Sequence, residues 1–434
     1  MIKEKKPYNL IIIGGGASGM MAAISLINNL VPKELNSKRI LLLERNDQLG
    51  KKLLITGKER CNLTTNSSVN DIVKSFGENG KFLWSALTQF PPKETIKYFE
   101  KNGVPIKLER GGRFFPKSEN SYDILRVLEK EIRKSSIEIG LSSKVENIRN
   151  VKDIFEIETD SGLILSERIL IATGGKSYPG TGSTGDGYKF AEDLGHTIIP
   201  PLPSLIGLKV QENEVRSMAG LALKNVSIKF YKYKGDSESK LKKENLIEER
   251  FGEMLFTHVG ISGPIVLDSS RSVVKALEKK ENIIASVDWK PAVETHVLQK
   301  RVNRIFHENP NVKIKNLFRK LLPQSAIEHF LRKISIDPET PSERILKKDK
   351  IMIVENLKNF DFRVIGYESI EKAIITSGGV KISEINPSTM KSKLVDRLFF
   401  TGEVIDVDGP TGGYNLQAAW STGWLAGLSI FRND

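Results

Sequence analysis

The hydrophobic pattern at the start of the chain predicts a strand, a helix and a second strand. The apolar run Leu10 to Ile13 is short enough for a buried parallel strand, and it breaks at Gly14. The segment "MMAAISL" continues with the spacing of a helix. A second apolar run, "RILLLE", ends at Glu44. This order predicts an α/β domain at the N-terminal end of the chain.

The pattern changes twice further along the chain. After "TIIPPLPSLIGLKV", β-type alternation in "NVSIKFYKYKG", "NLIEERFGEMLFTHVGISGP" and "ENIIASVDWKP" predicts an antiparallel barrel-like insert, with "DSESKLKKEN" as a polar hairpin tip. From Val293 to about Leu357 the spacing becomes helical, and Pro310, Pro338 and Pro341 separate the helices. "FDFRVIGY" and "AIITSGGV" then predict strands that return to the first domain. We therefore expect a first domain over residues 1–200 and 361–434, a β-rich insert over 201–290 and a helical insert over 291–360.

Three glycines follow the first predicted strand at the spacing of a dinucleotide-binding turn. Gly14 allows the tight turn, Gly16 lets backbone approach a pyrophosphate, and Gly19 lets helix and strand pack closely. The helix N-terminus that follows would hold the phosphate. Glu44, at the end of the second strand, is placed to accept a hydrogen bond from a ribose hydroxyl. The glycine-to-acid gap exceeds the usual ~20 residues, which we assign to a longer loop around "VPKELNSKR".

A second set of glycines, Gly180, Gly182 and Gly185, repeats this spacing without its context. The strand "RILIATGG" ends several residues earlier, and the following helix leads into the proline-broken "TIIPPLPSL", which has no terminal acid. We expect no separate NAD(P) domain.

Two distant stretches favour FAD as the bound dinucleotide. One strand ends at Thr173, Gly174 and Gly175; another, Leu398 to Thr401, leads into Gly402, Glu403 and Asp406 and then a glycine turn and a helix. An acid near a strand end can bond ribityl hydroxyls. A helix N-terminus aimed at the isoalloxazine carbonyl would stabilise the reduced, anionic ring.

The amino-acid composition excludes several classes of protein. The 434 residues are 39% hydrophobic and 27% charged, as in a globular protein, and no apolar run reaches the ~18 to 20 residues of a membrane span. We expect a cytoplasmic protein without a membrane partner. The single cysteine, Cys61, excludes an internal disulfide and a redox-active dithiol. The five histidines and one cysteine form no metal or hydrolase motif, so no metal is expected.

Positive charge is the remaining feature of composition. The net charge of +13 fits either contact with a polyanion or a merely basic protein. The same two interpretations, a phosphate-contacting surface or a solvated helix face, apply to the basic residues of the helical insert: Lys300, Arg301, Arg304, Lys313, Lys315, Arg319, Lys320, Arg332, Lys333, Lys347 and Lys348. His258, in "FTHVGISGP", fits either a substrate contact or a structural histidine, and we assign no catalytic residue.

The motifs together resemble a known family. They are "IIIGGGASGMMAA", "LGKKLLITGKERCNLTTN", "RFFPKSENSYDIL", "LIATGGKSYPGTGSTGDGY", "GEMLFTHVGISGP" and "ITSGGVKISEINPSTMKSKLVDRLFFTGEVIDVDGPTGGYNLQAAWSTGWLAG". They are similar to those of the bacterial NAD(P)/FAD-dependent oxidoreductases, the aminoacetone-oxidase-like or BaiN-like flavoproteins, over nearly the whole chain. The resemblance implies an α/β fold in which a Rossmann-type FAD-binding domain is interrupted by a β-barrel-like insert and a small helical insert, with FAD held non-covalently.

By motif position the resemblance also implies a set of cofactor-binding residues. These are Gly14, Gly16, Ala17, Ser18, Gly19, Glu44, Arg45, Lys52, Thr56, Gly57, Arg60, Cys61, Asn62, Leu63, Thr173, Gly174, Asp186, Gly402, Glu403, Asp406, Gly413, Tyr414, Asn415 and Leu416. Lys58 and Glu59 stand where the family pattern "SGGGRCN" has glycines. Lys51, Lys52 and Arg60 would supply positive charge for the FAD phosphates or the reduced flavin. Cys61 has no partner thiol, which favours a place in the pocket over a nucleophile.

The expected activity is hydride transfer through flavin N5, with NAD(P)H as donor and an unsaturated or oxidisable acceptor. The substrate is a small amine, a conjugated lipid-like enone, or a uracil ring in structured RNA. The last would make the protein a dihydrouridine-forming RNA reductase and would use the basic insert. The alternative outside the enzymes is a non-catalytic RNA-binding flavoprotein.

Overall fold

A computed structural model describes residues 6–233 and 243–432, which fall into two compact units. The first unit runs to Pro203 and resumes at Ile374, and the second is Ser204–Ala373. Most of the polar hairpin tip predicted at "DSESKLKKEN" lies outside the described residues. No helix of the described ranges is long and apolar enough to cross a membrane.

The strands are β1 Leu10–Ile13, β2 Ile40–Leu43, β3 Thr64–Thr65, β4 Ile106–Glu109, β5 Arg113–Pro116, β6 Glu138–Gly140, β7 Val145–Val151, β8 Ile154–Thr159, β9 Gly162–Ser166, β10 Ile169–Ile171, β11 Ile198–Ser204, β12 Leu208–Val210, β13 Ala222–Tyr233, β14 Leu246–Thr257, β15 Gly260–Ser262, β16 Asn282–Asp288, β17 Phe360–Tyr367, β18 Ile375–Val380 and β19 Leu398–Phe400.

The helices are α1 Ala17–Asn29, α2 Pro32–Ser37, α3 Lys51–Ile55, α4 Val69–Ser75, α5 Trp84–Gln89, α6 Pro92–Lys101, α7 Ser121–Lys134, α8 Asp186–Asp193, α9 Asn213–Arg216, α10 Pro264–Glu278, α11 Thr295–His307, α12 Ile314–Leu317, α13 Gln324–Lys333, α14 Lys347–Lys358 and α15 Tyr414–Ser429. Short 3₁₀ turns lie at Gly77–Leu83, Pro179–Thr181, Lys243–Asn245, Phe318–Lys320, Ser342–Arg344, Ile370–Lys372, Ile382–Glu384 and Gly402–Val404.

A five-stranded sheet in the order β19-β10-β1-β2-β6 organises the first unit. Every neighbouring pair is parallel, so the carboxyl ends of the strands share one edge. Four of the strands, β1, β2, β10 and β19, are continuous buried apolar runs, as is usual in a parallel sheet, whereas β6 begins at the exposed Glu138. The predicted Rossmann-type fold is confirmed. The segment predicted as a longer loop before β2 instead contains the short helix α2.

The second unit is a closed six-stranded barrel, β12-β15-β14-β13-β16-β17, with helices α9 to α14. One hydrophobic core serves both the barrel and its helices. Trp289 illustrates this, since its ring lies 6.1 Å from that of Phe330 on α13 and 5.6 Å from that of Phe360 on β17. The β-rich and helical inserts are therefore one unit with one core. The fifteen-residue helix α10 within the β-rich part has no counterpart in the sequence prediction.

The return to the first unit comes later than the sequence suggests. β17, the segment "FDFRVIGY", pairs with β16 and β12 and closes the barrel, so residues 361–373 belong to the second unit and not to the FAD domain. Alternating apolar residues identify a strand but not the sheet that receives it. β11 also forms a strand despite its prolines, because it pairs only with β18 in a two-stranded sheet.

Candidate cofactor site

The turn from β1 into α1 has the geometry of a phosphate-binding turn. Gly14 has a φ of 110°, and a Cβ there would lie 2.5 Å from the Ala172 carbonyl oxygen. A Cβ on Gly19 would lie 2.0 Å from the Gly14 carbonyl oxygen, so only glycine lets the helix pack here. Gly16 has no atom within 4 Å of its Cβ position, and it begins α1 without a side-chain cap. The open backbone and the uncapped helix start together suit an anion.

Glu44 follows β2 and is buried against this turn. Its carboxylate accepts hydrogen bonds from the Gly15 N–H at 2.9 Å, the Asn46 N–H at 2.9 Å and the Asn46 side-chain amide at 2.7 Å. A carboxylate offers about four acceptor positions, so one position remains for a ribose hydroxyl. Gly15, within the predicted glycine run, and Asn46 orient Glu44; Asn46 has no signal in the sequence pattern and was not predicted.

Two further strands end at the same sheet edge. Thr173 and Gly174 follow β10, and Gly402 follows β19, which pairs with β10. Gly402 has a φ of 74°, and a Cβ on it would lie 2.4 Å from the Ser18 hydroxyl at the start of α1. The sheet therefore brings together residues nearly 400 positions apart in sequence at the edge where α/β proteins bind their ligands.

Helix α15 extends past the start of α1 and overhangs this edge. The two helices are parallel, since Gly423 packs on Ser18 and Gly427 packs on Ala22, with Cβ positions 2.3 and 2.5 Å from the respective carbonyl oxygens. The contact of Gly423 with Ser18 aligns Thr422 of α15 with Ala17, the first residue of α1. Because α15 starts at Tyr414, it begins eight residues, or about 12 Å, beyond the start of α1. The unit thus presents two helix N-termini, one at the turn after β1 and one well beyond the sheet edge.

The start of α15 has no side-chain cap. It begins at Gly413, whose φ of 95° is left-handed and whose Cβ position lies 2.5 Å from the Thr64 backbone. The Asn415 side chain donates to the Gly409 and Pro410 carbonyl oxygens and fixes the preceding loop. Trp420 donates to the Leu63 carbonyl oxygen at 3.0 Å. These contacts place residues 61–64 beside the uncapped helix start.

Three buried side-chain oxygens in this region have no hydrogen-bond partner among the described residues. They are Asn62 Oδ1, Thr173 Oγ1 and Thr401 Oγ1. Thr173 Oγ1 faces Gly187 on α8, whose Cβ position lies 2.0 Å away, so neighbouring protein atoms enclose it. Buried polar atoms are normally satisfied, and Asn62 Oδ1 and Thr401 Oγ1, with the two helix starts and the free position on Glu44, fit a dinucleotide that spans the sheet edge, as the resemblance implies for FAD.

Several predicted cofactor residues are instead paired with each other. Arg45 donates to Asp186 at 2.7 Å and to Thr184 at 2.6 Å. Lys52 donates to Glu403 at 2.7 Å and to Ser177 at 2.8 Å. Each pair is close to neutral overall and holds two loops together.

Lys51, Lys52 and Arg60, which we expect to supply positive charge for the FAD phosphates or the reduced flavin, are each paired with a carboxylate. Lys51 pairs with Asp47 at 2.8 Å, and Lys52 with Glu403. Arg60 makes two hydrogen bonds to Glu109, at 3.0 and 3.2 Å, and its guanidinium covers the Phe115 ring. Each charge is compensated by a nearby carboxylate. Asp47 is only four residues from Lys51, but Glu403 and Glu109 are far from Lys52 and Arg60 in sequence, so these two pairings leave no signal in the local pattern.

The remaining predicted residues have ordinary structural contacts. The Thr56 hydroxyl donates to the Leu53 carbonyl oxygen at 2.6 Å. Asp406 accepts from the Asn79 side-chain amide at 3.0 Å. Asn79 was missed, since nothing in its surroundings marks it. His258 lies exposed in the turn between β14 and β15, and no cluster of metal-ligating residues occurs in the described ranges.

Cys61 is fully buried, and burial raises the pKa of its thiol to about 12. Such a thiol stays protonated at neutral pH and is a poor nucleophile. Its backbone N–H donates to the Thr56 carbonyl oxygen at 2.9 Å. The side chain is therefore a small apolar wall of the turn between α3 and β3.

Comparison with known proteins extends the resemblance to the full chain. The sequence profile of the HI0933-like protein Rossmann domain matches residues 8–429. The 3-dehydro-bile acid delta(4,6)-reductase of Clostridium scindens is 32% identical, covering 96% of this chain and 97% of that protein. The ribosomal RNA dihydrouridine synthase of Escherichia coli is 29% identical, covering 98% of each. A solved structure, the 3-ketosteroid delta1-dehydrogenase of Sterolibacterium denitrificans, has the same fold, with a TM-score of 0.50 at 11% identity over 98% of this chain and 99% of that one.

Proposed function

Because the chain belongs to the HI0933-like family of FAD-dependent oxidoreductases, we propose that it reduces a carbon–carbon double bond conjugated to a carbonyl group. The bound FAD supplies the hydride from N5 of its reduced ring. The contribution of this chain is to hold that cofactor, to favour its reduced form and to admit the acceptor.

The main support for this proposal is the uncapped start of α15. It lies about 12 Å beyond the start of α1. In FAD a ribityl chain separates the pyrophosphate from the isoalloxazine ring. A first helix start for the pyrophosphate and a second for the ring match these two ends. The positive end of α15 would stabilise the negative charge of a reduced flavin.

The individual residues take distinct roles in this proposal. Gly16 and the first turn of α1 hold the pyrophosphate, and Glu44 uses its free acceptor position for the ribose. Thr401 and Asn62 offer their unpartnered oxygens to polar groups of the cofactor. Arg45, Lys52, Asp186 and Glu403 act indirectly, since their pairing fixes the loops that carry the contacts.

The chemistry of the two relatives supports a conjugated acceptor. The C. scindens protein is named as a reductase of a 3-dehydro-bile acid, and the E. coli protein as a synthase of dihydrouridine. In both substrates the reduced double bond is conjugated to a carbonyl, which makes its far carbon electron-poor and open to hydride attack. An enone on an apolar skeleton is the acceptor we favour over an amine.

We assign the donor role to NAD(P)H, bound only transiently. Of the second glycine set, Gly180 lies in a 3₁₀ turn, Gly182 follows that turn and Gly185 precedes α8. The next strand, β11, forms a two-stranded sheet with β18. The described residues therefore contain one parallel sheet with a dinucleotide edge, and that edge is used by FAD. Donor and acceptor would then visit the flavin in turn, which gives ping-pong kinetics.

Cofactor release and flavin reoxidation test the proposal. Purified protein should be yellow and should release FAD, not FMN, on heating. Protein reduced without oxygen should then be reoxidised by a steroid enone and not by the matching saturated ketone. A reduced flavin that responds to oxygen but to no enone would refute the reductase proposal.

A second candidate, uracil reduction in structured RNA, is favoured by one feature of the second unit. Five exposed residues, Lys300, Arg301, Arg304, Arg319 and Lys320, form what we name the α11 basic surface. The Arg301 guanidinium donates to the Lys320 carbonyl oxygen at 3.1 Å, and this bond links the α11 residues of the surface to Arg319 and Lys320. The α11 helix itself contains no acidic residue, so this charge is available to phosphates.

Charge reversal tests this candidate. Changing Arg301, Arg304, Arg319 and Lys320 to Glu should abolish ribosomal RNA binding and flatten its salt dependence. A control with four exposed basic residues of the first unit reversed, Lys93, Lys97, Lys101 and Arg126, should bind as the parent does. Cells without the protein should lose one dihydrouridine by mass spectrometry. Equal RNA binding by both variants, with unchanged RNA, would leave the small enone as the substrate.

A further inference from the structure

The turn between α3 and β3 contains a short stretch of left-handed backbone. Gly57, Lys58 and Glu59 have successive φ values of 60°, 59° and 66°, and Cys61 has a φ of 57°. L-residues disfavour this conformation because Cβ crowds the following carbonyl oxygen. Non-glycine residues held in it cluster at active sites and ligand clamps. Lys58 and Glu59 are both exposed, so burial does not explain their presence.

The surrounding contacts fix this turn firmly. The Cys61 N–H donates to the Thr56 carbonyl oxygen at 2.9 Å, and the Ser121 N–H donates to the Glu59 carbonyl oxygen at 2.8 Å. Arg60 is held by Glu109. The side chains of Lys58 and Glu59 therefore project from a rigid backbone rather than from a loose loop.

The turn lies at the end of the cofactor site that we assign to the flavin ring. Asn62 follows it directly, with a buried and unpartnered Oδ1. Two residues later, the Thr64 backbone contacts Gly413 at the start of α15. The sequence separation between Lys58 and this contact is only six residues.

Lys58 differs from the other cations of its segment. Lys51, Lys52 and Arg60 are each paired with a carboxylate. No ion pair or hydrogen bond is formed by the Lys58 ammonium or the Glu59 carboxylate with any residue in 6–233 or 243–432. An unpaired ammonium carried on a rigid turn near the ring end is suited to an anionic group on a bound molecule.

We propose that Lys58 is a specificity-determining residue that binds the carboxylate of the acceptor, so that the preferred substrate is an enone acid. This inference rests on the proposed function and deepens it. The strained backbone is retained because it holds a charged side chain at the rim of the site, where glycine would leave no contact. Glu59 shares the exposure and the strain but has the opposite charge, which makes it a matched control.

The test compares a steroid acid carrying a ring enone with its methyl ester. Reoxidation of pre-reduced protein gives kcat and KM for each compound. Lys58→Gln should raise KM for the acid by about fivefold, leave kcat unchanged and leave the ester unaffected. Lys58→Arg should restore most of the preference for the acid, and Glu59→Gln should not reduce it. The acid preference of the parent should weaken with salt.

The outcomes separate this inference from the proposed function. If the parent reduces neither compound, the proposed function fails. If the parent reduces both, and Lys58→Gln changes acid and ester equally or changes neither, the reductase stands and the role of Lys58 is refuted. The flavin spectrum of each variant shows that the cofactor site is intact.

Discussion

Replacing Lys58 or Glu59 with glycine should stabilise the first unit. Glycine normally destabilises a protein, because it is the most flexible residue when unfolded. Here the folded backbone is left-handed at both positions, with φ values of 59° and 66°. Only glycine occupies that region without a steric penalty.

The expected magnitude follows from two opposing effects. A left-handed L-residue costs about 1–2 kcal/mol, and the extra flexibility of unfolded glycine costs about 0.5–1 kcal/mol. The difference between the two ranges is about 0–1.5 kcal/mol, so each substitution should raise the free energy of unfolding by roughly 0.8 kcal/mol, the middle of that range. Both side chains are exposed and make no contact that this change would remove.

Urea unfolding followed by tryptophan fluorescence measures this effect. Three of the four tryptophans, Trp84, Trp420 and Trp424, lie in the first unit, and Trp289→Phe removes the signal of the second. Lys97→Gly, in the middle of α6, is the control and should lose about 0.5–1 kcal/mol. Gly57→Ala should also destabilise, since a Cβ there would lie 2.8 Å from the Asn62 nitrogen. If Lys58→Gly and Glu59→Gly destabilise as Lys97→Gly does, the turn is not strained in solution and the reasoning is wrong.

Three other outcomes are expected. Lys52→Met and Glu403→Gln should each cost roughly 1–2 kcal/mol and weaken FAD retention, whereas the double variant should cost less than their sum. The pair of Lys51 with Asp47, whose carboxylate is exposed, should show a coupling energy below about 0.5 kcal/mol in the same double-mutant cycle. Cys61→Ser should keep FAD and turnover. Burial raises the pKa of the thiol from 9.0 to about 12, so the unfolded chain loses this proton at lower pH than the folded chain, and the free energy of unfolding falls as pH rises from 9 to 12. The serine variant should lack this contribution to the fall. Gly423→Ala should displace α15 from α1 and release FAD at lower urea, while Gly180→Ala, with open space around its Cβ position, should leave FAD retention unchanged.

The sequence predicts local structure well and tertiary pairing poorly. The opening strand, glycine turn, helix and second strand were predictable because each depends on neighbouring residues, and the structure places Gly14, Gly16, Gly19 and Glu44 around one turn. The ion pairs of Arg45 with Asp186 and of Lys52 with Glu403 join residues 141 and 351 positions apart, so no local pattern reveals them. Motif position alone therefore predicts all four as cofactor-lining residues and does not show that they pair with each other.

The same limit applies to the assignment of strands to sheets. The strand β17 was recognisable from its apolar alternation, but its place in the barrel depends on its partners β12 and β16. The strained residues Lys58 and Glu59 were noticed as departures from the family pattern. Their left-handed backbone is a property of the folded turn that the sequence pattern does not show.

The division of the chain has a consequence for how the protein is made. The second unit is continuous, from Ser204 to Ala373, and can form its core as soon as that stretch leaves the ribosome. The first unit must wait, because its edge strand β19 and its long helix α15 belong to the last 40 residues. Until they emerge, β10 is an open strand edge, vulnerable to pairing with another chain. Cofactor loading is therefore a late event in biosynthesis, and a ribosome that stops before residue 398 yields a folded barrel attached to an incomplete, aggregation-prone sheet.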